Sequence, residues 1–241
     1  MIIHQSIKAI FCWSGGKDSA YALHLVQQKQ EYEIVFLLTT LNAQYKRISM
    51  HGVREELLDA QACALNIPLV KVWVKEGTNN EYEQQMEKAM RQAQAQGVTH
   101  VIFGDIFLED LRRYREENLK KVGMHAVFPL WKKNTTELIH DFIQLQFKTI
   151  TCCTNDQYLG EEWVGKEINE TFVRDLPSTV DPCGENGEYH SFCYAGPIFK
   201  TALSIQNGEK IYRPLEIKMA DDCSLPATET KGFWFCELMK K

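Results

Sequence analysis

The sequence predicts an α/β protein: a parallel five-stranded sheet with helices on both faces, followed by a second, smaller mixed α/β domain. Three observations carry this. Apolar runs of strand length alternate with helical patterns through residues 1–132, and that alternation requires parallel crossovers. From residue 133 to 241 the alternation breaks down, and Pro, Gly and Asp gather between residues 177 and 187. A glycine turn, Ser14–Ser19, joins the first apolar run directly to the first helical pattern, the place where such sheets bind ligands.

The elements follow in order. Ile7–Trp13 reads as a buried strand and Ser19–Gln28 as a helix. Glu33–Leu41 is a second buried strand. Val53–Leu65 is helical, with Val53, Leu57, Leu58 and Leu65 on one face and Asn66 and Pro68 as stop signals. Leu69–Val74 is a third strand. Glu81–Gln96 is a polar helix with acidic residues first and Gly97 just beyond its end. Val98–Phe103 is a fourth strand, Asp110–Val122 a helix stopped by Gly123, and His125–Leu130 a short fifth strand. In the second part, Asn134 and Glu137 suggest a capping box for a helix reaching Phe147. Lys148–Cys153 is a strand, Glu167–Leu176 a short helix and Gly232–Met239 a strand, and Asn207-Gly208 signals a hairpin.

The turn after the first strand reads Ser14-Gly15-Gly16-Lys17-Asp18-Ser19. Glycines let the backbone approach a ligand, and the first amides of the following helix point at it with a dipole that favours an anion. Ser14, Ser19 and Lys17 add hydroxyls and a cation, which makes this a phosphate cradle. It is not a Walker A loop. That pattern needs glycine at residue 11 and Ser or Thr at residue 18, where this chain has Phe11 and Asp18. Nor is it a dinucleotide fingerprint, because Gly15 and Gly16 are adjacent. Thr39-Thr40 and Gly104-Asp105 also end strands, so three segments converge on one nucleotide site.

Composition excludes several classes. At 241 residues with 44% hydrophobic and 24% charged residues, the chain is an ordinary soluble type with room for a large core. A net charge of −5 argues against a nucleic-acid surface. No apolar run reaches the ~20 residues of a membrane span, and Met1–Gln5 lacks a signal peptide's apolar core. The expected location is the cytoplasm. The eight cysteines include no Cys-x-x-Cys spacing, and Cys152 and Cys153 are adjacent. They are expected to be free thiols rather than metal ligands.

The Ser14–Ser19 loop resembles that of the PP-loop ATP pyrophosphatases, whose fold is Rossmann-like (adenine nucleotide alpha hydrolase-like). Further segments resemble one branch of them, the diphthine–ammonia ligase family. These are Gly104-Asp105-Ile106 with Asp110, Arg113, Arg115, Glu117 and Asn118; Phe128–Trp131; Trp163–Lys166; Cys183–His190; and Gly196–Phe199. The resemblance runs from about residue 6 to residue 200. It implies ATP as cosubstrate and cleavage to AMP and pyrophosphate through an acyl-adenylate. Ammonia then displaces AMP from a carboxylate acceptor, diphthine on elongation factor 2 if the family role carries over. No glutaminase domain is encoded, so free ammonia is the expected nitrogen source.

Under this resemblance Ser14, Gly15, Gly16, Lys17, Asp18, Ser19, Thr39, Thr40, Gly104 and Asp105 bind ATP. Asp18 either holds a magnesium ion or caps the helix. The acceptor side falls to His51, Arg113, Arg115, Glu117, Asn118, Glu185, Asn186, Gly187, Glu188 and His190. His190 is a candidate base for ammonia, and Glu188 a candidate to orient ammonia or a cation. The bland alternatives are a capping role for His51 and a solvated, internally paired helix face for Arg112 to Glu117. The chain departs from the family's usual Glu-Gly-Gly-Glu-Tyr-Glu-Thr at Asn186, where a glycine is usual, and at His190, where an acid is usual. It departs again over Ser49–Arg54, and both departures fall where an acceptor would bind. Rival functions are a PP-loop tRNA-modifying enzyme, simple ATP hydrolysis and a non-catalytic ATP sensor. Thiolation of tRNA would want a cysteine cluster and a basic surface, and a sensor would not need the loop that carries Lys17.

Overall fold

The structure is a computed structural model that describes residues 6–48, 51–74, 79–215 and 231–241, with only the backbone of residues 79–81. Met1–Gln5, Ser49, Met50 and Cys223 lie outside the described residues.

The first sheet is built from β1 (Ile7–Cys12), β2 (Tyr32–Asn42), β4 (Leu69–Val74), β5 (His100–Ile102) and β6 (His125–Val127), all parallel, in the order β4-β2-β1-β5-β6. The expected five parallel strands are all present. A two-residue strand, β3 (Arg47–Ile48), adds antiparallel to the end of β2 and was not anticipated. The helices are α1 (Lys17–Lys29), α2 (Glu55–Leu65), α3 (Asn79–Ala95) and α4 (Glu109–Lys121). Their stops are the expected ones. Asn66 is left-handed after α2, as are Gly97 after α3 and Gly123 after α4. Helix α1 begins two residues earlier than the sequence suggests, with Gly16 at its N-cap. Asp18 is therefore inside the first turn and is not the N-cap residue.

The strand order reverses direction at β1. Chain following β1 runs outward to β2 and β4, then returns to β5 on the other side. The loops after β1 and β5 diverge there and leave a crevice at the carboxyl ends of the strands.

The second sheet has four antiparallel strands in the order β8-β7-β10-β9: β7 (Lys148–Asn155), β8 (Tyr189–Ala195), β9 (Ile205–Pro214) and β10 (Gly232–Lys240). Helix α5 (Thr135–Gln144) is capped by Asn134, whose Oδ1 accepts from the amides of Thr136 and Glu137. Helix α6 is Glu170–Asp175. The expected hairpin at Asn207-Gly208 is corrected: both residues lie inside β9. Gly208 faces a shift of register between Cys236 and Leu238 of β10, and a Cβ there would sit 3.0 Å from Met239 and 3.2 Å from the Glu237 carbonyl. The glycine marks a bulge rather than a turn.

One hydrophobic cluster runs through both sheets, from Phe11, Leu23 and Leu57 to Phe142, Phe192 and Leu238. Phe142 and Phe147 stack at 4.5 Å and meet Tyr21 of α1 edge-on. A second cluster, with Ile10, Leu38, Met90 and Val101, fills the opposite face of the parallel sheet. No described helix is long and apolar enough to cross a membrane.

Candidate active site

The phosphate loop is held by residues far away in the chain. The Gly15 carbonyl accepts from the Cys193 amide at 2.8 Å and from Gln61 Nε2 at 2.9 Å. Gln61, fully buried on α2, also donates to the Cys193 carbonyl at 2.6 Å and accepts from Trp13 Nε1 at 2.9 Å. The Ser191 hydroxyl accepts from the Lys17 amide at 3.1 Å, and Ser14 Oγ accepts from the Gly16 amide at 3.2 Å. Strand β8 therefore lies along the loop, accepting from the Lys17 amide and donating to the Gly15 carbonyl, bonds that α1 itself cannot supply. Sequence reasoning missed Gln61 and Ser191. The signal for Gln61 was a lone amide on the apolar face of α2, between Leu57, Leu58 and Leu65.

Lys17 is 3% exposed, and its ammonium donates to both Asp18 oxygens at 2.7 Å. Burial opposes its charge most strongly, but Asp18, Tyr189 and Cys183 together outweigh burial and hold the ammonium above the ordinary lysine range. Burial pushes the Asp18 carboxyl up while Lys17 pulls it back down. Ser19 Oγ donates to the Gly16 carbonyl and lies 3.1 Å from Ser14 Oγ. Gly104 packs so closely on the start of α1 that a Cβ would meet the Ser19 nitrogen at 3.0 Å. Glycine permits that approach without a shift of the α1 backbone.

A cavity of about 600 Å³ opens above this loop. Of the expected nucleotide residues, Ser14, Lys17, Asp18, Ser19, Thr39, Thr40, Gly104 and Asp105 line it. Gly15 and Gly16 shape the turn beneath. The Thr39 hydroxyl donates to the Trp13 carbonyl at 2.6 Å, so it ties β2 to β1. Asp105 pairs with Arg115 at 2.9 Å, and that guanidinium lies 4.3 Å from the Phe103 ring centre. Burial pushes the Asp105 carboxyl up, and Arg115 counters it. Beyond this pair the lining turns apolar, with Cys12, Leu38, Tyr82, Met86, Phe103, Leu108 and Leu111. The α3 contribution was unforeseen, although Tyr82, Met86 and Met90 recur at helical spacing in that polar segment.

The acceptor-side residues divide. His51, Arg115, Glu185, Asn186, Gly187 and His190 line the cavity. Arg113, Glu117, Asn118 and Glu188 do not. Arg113 is two-thirds exposed and 3.9 Å from Asp110, and Asn118 accepts from Lys121. Arg112, expected to be solvated, covers the Trp131 ring at 4.6 Å and pairs with Glu116. Glu188 is 1% exposed, and its carboxylate accepts from the Asp181 amide and from the amide and side chain of Asn186. It holds the loop over residues 181–188 together. Glu185 Oε1 accepts from the Ile106 amide at 2.9 Å and bridges the two parts of the chain. Burial, reinforced by Asp18, raises its carboxyl to about 7.

His51 and His190 face each other with ring centres 4.8 Å apart. His51 Nδ1 lies 3.0 Å from the Ser191 carbonyl, which makes Nδ1 the protonated nitrogen of the neutral ring. His190 Nε2 is buried and has no partner. Burial, with Lys17 nearby, lowers His51 to about 4. Burial, His51 and Lys17 lower His190 to about 3. Both rings are neutral near pH 7, so they offer lone pairs rather than charge.

A glycine turn at the switch point of an open parallel sheet, with an antiparallel sheet packed beside it, defines a Rossmann-like α/β protein with the PP-loop fold. Two family models match the chain: the diphthamide synthase N-terminal domain over residues 7–126 and the diphthamide synthase C-terminal domain over residues 134–220. The chain belongs to the diphthamide synthase family. Similar proteins include the diphthine–ammonia ligases of Mus musculus, 24% identical over 226 residues, and of Bos taurus, 25% identical over 229 residues. Each match covers 82% of this chain and 82% of the relative.

The seven described cysteines are free thiols. Burial raises the thiols of Cys12 and Cys153 to about 12 and pushes Cys152, Cys183 and Cys193 up as well. Only Cys63 among them is exposed. Brief treatment of the folded protein with iodoacetamide at pH 8 is expected to alkylate Cys63 and spare those five. Peptide mapping checks this, and rapid labelling of Cys183 or Cys193 would contradict it.

Proposed function

We propose that the protein is an ATP-dependent carboxylate–ammonia ligase, cytoplasmic and AMP-forming, with diphthine as the first acceptor to test. The reading is carried by the Ser14–Ser19 cradle with buried Lys17 beside Asp18, where a Walker loop would place a hydroxyl. Family membership supports the ligase class.

Residues 1–132 hold ATP and residues 133–241 close the acceptor side. The adenine lies against Tyr82, Met86 and Phe103, and the β and γ phosphates lie at the amides of α1 with Lys17. A helix N-terminus and a cation stabilise pyrophosphate as it leaves. The carboxylate oxygen attacks the α-phosphorus, and the bond to the bridging oxygen of pyrophosphate breaks. The ammonia nitrogen then bonds to the acyl carbon, AMP departs with the acyl oxygen, and the nitrogen loses one proton. His190 Nε2, neutral, buried and unpartnered, accepts a hydrogen bond from the ammonia and orients it, and the proton leaves to water. Asp18 and Glu185 supply hard oxygen donors at the cavity wall and fit a magnesium ion shared with phosphates. When bound, the ion would neutralise part of the phosphate charge.

The test is product identification. With acceptor, ammonium and ATP present, chromatography should find AMP and pyrophosphate in equal amounts. ADP and phosphate as the products would end this reading.

A further inference from the structure

The matched family models end at residue 220, yet strand β10 beyond it contacts the segment that carries His51, a residue of the cavity lining. Glu237, on β10, has a side chain 13% exposed. Its carboxylate accepts from Arg47 Nη2 at 2.8 Å and Nη1 at 3.3 Å, and from Arg54 Nε. Those two arginines bracket His51, and they pair with each other as an antiparallel bridge. Arg47 Nη1 also donates to the Gly52 carbonyl at 2.7 Å. The Ile48 amide donates to the Val53 carbonyl, and the Gly52 amide to the Ile48 carbonyl.

A second residue of β10 makes the same contact. Gly52 is left-handed at φ +68°, and a Cβ there would lie 2.7 Å from the Phe235 ring. The ring and the carboxylate of β10 therefore grip the chain on both sides of His51. From His51 the contacts continue inward. Its ring lies 4.8 Å from His190, its Nδ1 bonds the Ser191 carbonyl, and its Cε1 would be 3.0 Å from a Cβ on Gly16. Every link from β10 to the N-cap of the phosphate-loop helix is a direct contact.

We infer that Glu237 is a positioning residue, which acts through Arg47 and Arg54 to set His51 against His190 and the phosphate loop. Glu237 is placed to position rather than to touch substrate, because the hydrogen bonds of its carboxylate among the described residues go to the two arginines and it does not line the cavity. Its carboxyl is buried, which costs, but the Arg47 and Arg54 hydrogen bonds hold it below the ordinary carboxylate range. An ionised carboxylate with two fixed guanidinium partners is a stiff joint, since charge-assisted pairs are shorter and more directional than neutral ones. The groups that face His51 are Lys17 of α1, His190 and the Ser191 carbonyl of β8.

The inference rests on the nucleotide reading only in the choice of ligand. The experiment uses the full chain, α,β-methylene-ATP and nitrogen-15 histidine labelling. Glu237→Gln keeps the shape and removes the charge. In that variant the His51 ring signals should move, its titration should climb from about 4 toward the ordinary histidine range, and the nucleotide analogue should bind at least fivefold more weakly. Glu237→Asp should restore part of both. Asp156→Ala is the control for plain destabilisation. Asp156 accepts from the Lys231 and Gly232 amides and from the Tyr212 hydroxyl at the far end of the same strand pair. It should lower the melting temperature and leave His51 and the analogue affinity within twofold of the parent. Unmoved His51 signals in Glu237→Gln would overturn the inference. So would Asp156→Ala disturbing His51 as much as Glu237→Gln does. If the parent releases ADP, the ligase reading fails while the histidine titration still judges Glu237.

Discussion

Lys17→Ala is expected to weaken ATP binding or AMP-forming turnover by roughly 10- to 100-fold, from the ~1.5–3 kcal/mol carried by a charge-assisted contact. The ammonium is held at the mouth of α1 by Asp18 and buried under the Tyr189 ring, 5.4 Å away. A triphosphate entering the cavity offers it a stronger partner than one carboxylate. Removing the ammonium also frees Asp18, whose side chain is 32% exposed and can regain water. The fold should therefore survive with a modest loss of melting temperature. Calorimetry with ATP, paired with thermal unfolding, separates the two effects. A collapsed fold with normal residual affinity would make Lys17 a structural residue.

Gln61→Leu is expected to be the more damaging change for stability, at roughly 2–5 kcal/mol. The side chain has nearly the same volume, so cavity formation is not the cause. The cost comes from partners left buried without a bond, at about 1–3 kcal/mol each. Trp13 Nε1 and the Cys193 carbonyl lose their bonds to Gln61, and the Gly15 carbonyl keeps only the Cys193 amide. Because Gln61 joins the phosphate loop to β8, ATP affinity should fall with stability. Denaturant unfolding of Gln61→Leu, Trp13→Phe and the double variant would show strong non-additivity. A loss below ~0.5 kcal/mol for Gln61→Leu would refute the linchpin role.

The two predictions differ in how their residues could be found. Lys17 stands in six contiguous residues between an apolar strand and a helical pattern, and the geometry of strand, turn and helix is local. The same holds for the stops at Asn66, Gly97 and Gly123, where the left-handed conformation follows from a short-range rule. Gln61 is 46 residues from Gly15, and Ser191 is 174 from Lys17. Nothing within a window of local sequence connects them. Glu188 illustrates the opposite error. Its charge suggests a substrate contact, yet three loop donors consume its carboxylate. Asn207-Gly208 has the chemistry of a tight turn, and only the approach of β10 makes it a bulge.

By itself the sequence determined the parallel sheet, its helices and the phosphate cradle, because periodicity, caps and glycine turns are written in neighbouring residues. Tertiary structure alone decided that β8 lies along the cradle, that His51 and His190 meet as neutral rings, and that β10 braces them. Those outcomes depend on desolvation and on which distant donors meet which acceptors. Both are properties of the packed chain and have no local pattern to carry them.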